Sequence, residues 1–259
     1  MKLIYGSIFA FTLLAIACGK NSAGRRTLNL VSDDEMNTMG DEAYADILSK
    51  SQLSRNSTLN NQILTIGQNI AQSSGVDYDW KFSVIEEETV NAFCLPGGKV
   101  AVYTGIVPVA ANNAGLAAVM GHEVGHAVLR HSAERMSQQL LLQTGLSLIS
   151  VNFEDSPYKG IIAAAMGIGT TYGIELPFSR LDESEADKVG LEYMARAGYD
   201  PREAVKLWER MGALESSRPP EILSTHPDPA NRAKALNDHM AKALELYEGS
   251  SKKQTFNLN

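Results

Sequence analysis

The chain reads as an α+β protein, mostly helical, with a small β-sheet. Three observations lead there. Several stretches repeat apolar residues at helical spacing, and two short stretches alternate apolar and polar residues as strands do. The third is residues 115–129, GLAAVMGHEVGHAVL, an apolar run of helical length broken by only three polar side chains. With 259 residues, 44% of them hydrophobic, the chain can bury one sizeable core.

Taken in order, the chain opens on one Lys and an uncharged apolar run from Leu3 to Ala17. This has the form of a secretory signal, residues 1–17, and is short for a membrane span; an uncleaved anchor is the alternative. The run ends Ala15-Ile16-Ala17-Cys18, similar to the cleavage box of bacterial lipoproteins but with Ala where Leu is usual. Cys18 is then the lipidated first residue and 18–32 a tether. The expected location is the bacterial cell envelope, lipid-anchored at the outer membrane and facing the periplasm. Cys94 is the other cysteine, left as a free thiol. Removing 1–17 takes away Lys2 and no acid, so the formal charge goes from −7 to −8. Nucleic acid is a poor partner for such a surface.

Residues 33–50 and 57–73 have helical spacing, with Leu59, Ile63, Ile66 and Ile70 in one stripe. Gly75 breaks the pattern, and 80–87 and 99–104 read as half-buried strands. Between them, Asn91, Ala92, Phe93 and Cys94 lie in a short extended segment, and Pro96-Gly97-Gly98 turns the chain. An open edge here would let an extended polypeptide add as a further strand; an ordinary strand start is the alternative. Asn112 or Asn113 caps the next helix.

That helix carries His122, Glu123 and His126. Burying two imidazoles and a carboxylate without partners would cost several kcal/mol. At about 100° per residue, the two His side chains lie roughly 40° apart, one turn above the other. They can point two nitrogens at one zinc ion, and Glu123, just beside that face, is placed to act on a water there.

Past Arg130 the sequence turns polar, then apolar at 140–142 and 161–174. These stretches are expected as a hairpin over the cleft or against the bilayer, or as core helices. In 179–198 helical phase selects among four acids. Glu185 falls with Lys188, Glu192 and Arg196 on a solvated stripe, whereas Glu183 shares the apolar stripe of Ala186, Gly190, Met194 and Ala197. Glu183 is thus the third metal ligand, unless it pairs with Arg180. Asp187, one turn on, can bond the free ring nitrogen of a ligand His. A helix at 202–214 offers Val205, Leu207, Trp208 and Met211 to the core. A loop follows with His226, then a helix to about Glu248 with Arg232 just inside it, and a polar tail, 249–259. His226 and Arg232 suit an oxyanion or substrate contact; closure of His226 on the metal as a fourth ligand is a further possibility. By continued helical phase, His131 lies about 180° from His122, out of reach of the ion.

Four segments then resemble one family: NAFCLPGGKVAVYTG at 91–105, HEVGH at 122–126, SRLDESEAD at 179–187 and STHPDPANR at 224–232. They are similar to the gluzincin metallopeptidases of the HtpX, LoiP, BepA, Oma and CAAX prenyl protease type. The resemblance covers roughly 33–248, which it makes a zincin-like metallopeptidase domain. It implies one Zn2+ on His122, His126 and Glu183, Asp187 behind them, His226 and Arg232 near the scissile carbonyl, and a substrate-pairing edge at 91–95. Cys94 departs from the small residue usual there, and no tandem helical repeats follow as in BepA-like members. The expected activity is zinc endopeptidase cleavage of unfolded or misassembled envelope polypeptides, with Glu123 as general base. A chaperone or assembly factor for outer-membrane proteins is the alternative. Oligomeric state is left open.

Overall fold

A computed structural model describes residues 18–144, 165–166, 177–215 and 220–254. Residues 1–17 and most of 145–176, where a signal and a hairpin are expected, lie outside the described residues. The elements, in order, are strands β1 (Cys18–Lys20) and β2 (Arg26–Leu28), helices α1 (Asp33–Lys50) and α2 (Ser57–Ser74), and strands β3 (Lys81–Ile85), β4 (Ala92–Leu95) and β5 (Lys99–Tyr103). Helices α3 (Val107–Ala110), α4 (Asn113–Val128), α5 (His131–Thr144), α6 (Arg180–Arg196), α7 (Arg202–Glu215), α8 (Ile222–Thr225) and α9 (Pro229–Gly249) follow. No described helix is long and apolar enough to cross a membrane.

The caps stop and start these helices where their side chains allow. Ser32 closes a capping box with Glu35 at the start of α1, and Asn56 caps α2, which ends on Gly75 at φ 73°. The sheet runs β3-β5-β4, with β3 parallel and β4 antiparallel to β5. One face, through Phe93, Leu95, Ala101 and Tyr103, packs with Met36, Met39, Tyr44 and Ile47 of α1. The other, through Ala92, Cys94, Val100 and Val102, joins the stripe of α2 and the main helical core. This corrects the reading of 99–104 as half-buried: β5 is central, covered on both faces, and all five of its residues are buried.

The stretch read as a tether is folded. Residues 18–28 form an antiparallel hairpin, Cys18 opposite Leu28, and Arg25 pins it to α5 and α6.

Candidate metal centre

Helix α4 is buried almost from end to end. Asn112 caps it, its side-chain oxygen accepting from the Gly115 N–H at 2.9 Å. What brings α6 to it is glycine. A Cβ on Gly121 would lie 2.8 Å from the Gly190 carbonyl oxygen, and one on Gly125 would lie 2.9 Å from that of Ala186. Backbones in such contact put Glu183, near the start of α6, against His122 and His126.

Four donor atoms converge there. His122 Nε2 lies 3.0 Å from His126 Nε2 and 3.2 Å from His226 Nδ1. Glu183 Oε1 lies 2.9 Å from His226 Nδ1 and 3.3 Å from His126 Nε2, and Oε2 lies 3.5 Å from His122 Nε2. Ligands about 2.0–2.1 Å from a tetrahedral ion stand roughly 3.3 Å apart, so one cation fits this set. His122, His126, Glu183 and His226 form a buried group able to hold a metal ion. Their protonation agrees: burial drives His126 well below the usual imidazole range, leaving a neutral ligand. Burial opposes charge on Glu183, yet His226, Arg232 and His122 hold its carboxyl well below the usual range. Glu183 Oε2 and Glu123 Oε1, both buried, lack hydrogen-bond partners within the protein, as oxygens meant for a cation and a water would.

Glu123 stands beside this group, outside it, with Oε1 3.7 Å from His226 Nε2. Burial pushes its carboxyl up to about 7, against the pull of His226. The Cys94 backbone N–H on β4 bonds it as well. Such a group can take and release a proton near neutral pH. The Cys94 thiol is raised well above its ordinary range by burial and stands outside the four-ligand group, an inert core residue.

Behind the ligands, His122 Nδ1 lies 3.0 Å from Asp187 Oδ1. Arg232 Nε donates to Asp187 Oδ2 at 2.8 Å, its Nη1 lies 2.8 Å from Glu183 Oε2 though misaligned for a hydrogen bond, and its guanidinium stacks 3.4 Å over Trp208. Arg180 does not take Glu183; Arg232 does. Asn91, half-buried, donates from its side-chain amide to Glu221 Oε1 at 3.3 Å. The strand β4 is an edge of the sheet, but it is not open. Its four residues are buried, and the carbonyl of the preceding Val90 accepts from the Ile222 N–H.

His131 lies outside the four-donor group, as expected, but helical phase is not the reason, and it fails for Glu185 as well. His131 does not continue the helix of His122: α4 stops at Val128, Arg130 takes φ 61°, and a new helix begins. Its Nδ1 therefore lies 2.9 Å from His126 Nδ1. Burial also pushes His131 below its ordinary value. Glu185, expected on a solvated stripe, instead accepts from Asn21 and Arg25 and faces His131. Sequence reasoning also passed over Phe178, whose ring lies 3.9 Å from that of His126 and 5.1 Å from that of His226. An isolated Phe ahead of a capping Ser carries no signal of such a place.

A helix-borne His-Glu-x-x-His, completed by a Glu from a second helix that buried glycines bring close, defines a gluzincin-type metallopeptidase site. The sequence pattern of Peptidase family M48 matches residues 57–240, and the chain belongs to that family, as a metalloendopeptidase. Its relatives include the mitochondrial metalloendopeptidase OMA1 of Schizosaccharomyces pombe, 35% identical over 251 residues, 95% of this chain and 72% of that protein. The OMA1 of Arabidopsis thaliana is 41% identical over 170 residues, 65% of this chain and 33% of that protein. The beta-barrel assembly-enhancing protease of Escherichia coli is 31% identical over 202 residues, 75% of this chain and 41% of that protein. The chain thus spans less than half of the last two.

Proposed function

We propose that the protein is a zinc endopeptidase of the bacterial cell envelope, held at the membrane through lipidated Cys18, that cleaves unfolded or misassembled envelope polypeptides. The observation carrying this reading is the buried four-donor group of His122, His126, Glu183 and His226 with the Glu123 carboxylate beside it, Oε1 3.7 Å from His226 Nε2. Zinc, when bound, polarises the scissile carbonyl and makes water nucleophilic near neutral pH. His122, His126 and Glu183 would hold it, and Asp187, 3.0 Å from Nδ1, fixes the His122 ring. Glu123 takes the proton of the attacking water and returns it to the leaving amine. Residues 91–94 would pair with substrate along β4 only after the segment at Ile222 has left that edge. The envelope assignment rests on the lipoprotein-like run before Cys18 and on the likeness to the beta-barrel assembly-enhancing protease of Escherichia coli.

Two tests follow. Cys18→Ala should move the protein from the membrane to the soluble fraction of cells, and unchanged fractionation sinks the anchor. The Glu123→Gln form, isolated from cells, should retain bound envelope proteins that the active form does not. Wild-type protein that binds unfolded membrane proteins with zinc in place, yet cleaves none of a broad panel, would favour the chaperone reading.

His226 supports a second reading, about regulation. Its Nδ1 takes the fourth donor position, and the same short segment holds the β4 edge through Ile222 and Val90. A catalytic zinc keeps an open position for water and substrate. Were all four donors to hold the ion, no position would be left for water and substrate, and His226 would have to leave before turnover. His226→Ala should raise basal cleavage of an unfolded peptide several-fold, read in steady-state assays. A fall instead would assign His226 to oxyanion stabilisation.

A further inference from the structure

Among the described residues, a second cluster of metal-ligating types, His131, Asp182 and Glu185, lies beside the first. A guanidinium already fills it. Arg25, from the N-terminal hairpin, pairs with Asp182 at 2.7 Å, Glu134 at 2.8 Å and Glu185 at 2.9 Å, and its side chain is only 19% exposed. Asn21 of the same hairpin donates to Glu185 at 2.9 Å. The cluster is thus a docking niche for residues 18–28, with Arg25 as its cation.

From this niche a continuous chain of contacts leads to the metal group. We propose that the hairpin sets the orientation and tautomer of His126 through Arg25, Glu185 and His131, which makes His131 and Arg25 positioning residues of the metal site. The proton assignments follow from donor and acceptor types. Glu185 as a carboxylate only accepts, so His131 Nε2, 3.1 Å away, carries the proton, and its Nδ1 presents a lone pair. His126 Nδ1, 2.9 Å from that lone pair, then carries its own proton. His126 Nε2 is left unprotonated and aimed at His122 and Glu183, the state a metal ligand requires. Arg25 holds Glu185 by its Nε, so the last member of the chain is fixed by a segment more than 100 positions away in sequence. His131 shares no helix with His126, and the break at Arg130 is what points it back.

This inference rests on the metallopeptidase reading, and the test separates the two. Zinc affinity of the full chain is measured by competition with a chromophoric chelator, and the visible absorption of the cobalt-substituted protein reports ligand geometry. His131→Ala should weaken zinc binding by about 10- to 100-fold. His131→Gln, whose amide can both accept from His126 and donate to Glu185, should recover most of that loss. Arg25→Ala should weaken zinc binding less, while shifting the cobalt spectrum, and Arg202→Ala, in an unrelated surface pair, should change neither. If His131→Ala does not fold, His131→Gln and Arg25→Ala carry the test. Wild-type affinity and an unchanged cobalt spectrum in Arg25→Ala or His131→Ala overturn the relay alone. A wild-type chain that binds no zinc overturns the metal reading beneath it.

Discussion

Glu123→Gln is expected to lower cleavage of an unfolded test protein by roughly 100- to 10,000-fold, the usual range for losing a positioned acid–base group. Zinc content per chain should stay at the wild-type level, because Glu123 lies outside the four donors. Gln fills the same volume and can still accept from the Cys94 N–H, so helix α4 and its contact with β4 are retained. What it cannot do is take a proton, which Glu123 does readily once burial has brought its carboxyl to about 7. Peptide cleavage rates, measured beside metal analysis of the same preparations, check both halves. Unaltered cleavage removes Glu123 as the base. Lost zinc would instead place it among the ligands.

The parts of this site legible in the sequence are those that local periodicity governs. Two imidazoles one helical turn apart, and one acid of four on an apolar stripe, are statements about a single helix, and α4 and α6 run as those stripes require. The readings that needed correction used the same rule past the point where the helix ended. His131 was placed by a phase that Arg130 interrupts with a positive φ, which its own side chain does not announce. Glu185 does lie on the face of α6 away from Glu183, and Lys188 and Arg196 on that face are exposed, but its end at Glu185 is covered by a hairpin whose docking depends on Arg25, far away in sequence. The burial of β5 on both faces was likewise invisible, since it depends on which strands flank it. One distant feature did leave a local trace: the glycines at 121, 125 and 190, each with no room for a side chain, mark where two helices touch backbone to backbone.

Arg232→Ala should destabilise the metal-free protein by about 3–5 kcal/mol at neutral pH, the usual cost of removing one partner from a buried ion pair. Arg232 is 4% exposed and answers two buried carboxylates, Asp187 and Glu183. The pH dependence has a definite sign. Burial alone would raise both carboxyls, but Arg232 helps hold each below its unfolded value. The stability they contribute is therefore present above the unfolded carboxylate range and is lost as pH falls through the folded values. Without Arg232 most of that contribution disappears, so wild type and variant should differ most near neutrality and converge in acid. Lys is a poor substitute, because one ammonium cannot span Asp187 and Glu183 as the planar fork does over Trp208. Zinc should reduce the penalty, since Glu183 then has a second cation while Asp187 keeps only the His122 ring. Urea unfolding of metal-free protein from neutral to acid pH, with the zinc-loaded form compared at neutral pH, measures each of these differences. A loss under about 1 kcal/mol that does not vary with pH would show that these carboxylates take their counter-charge from the histidines.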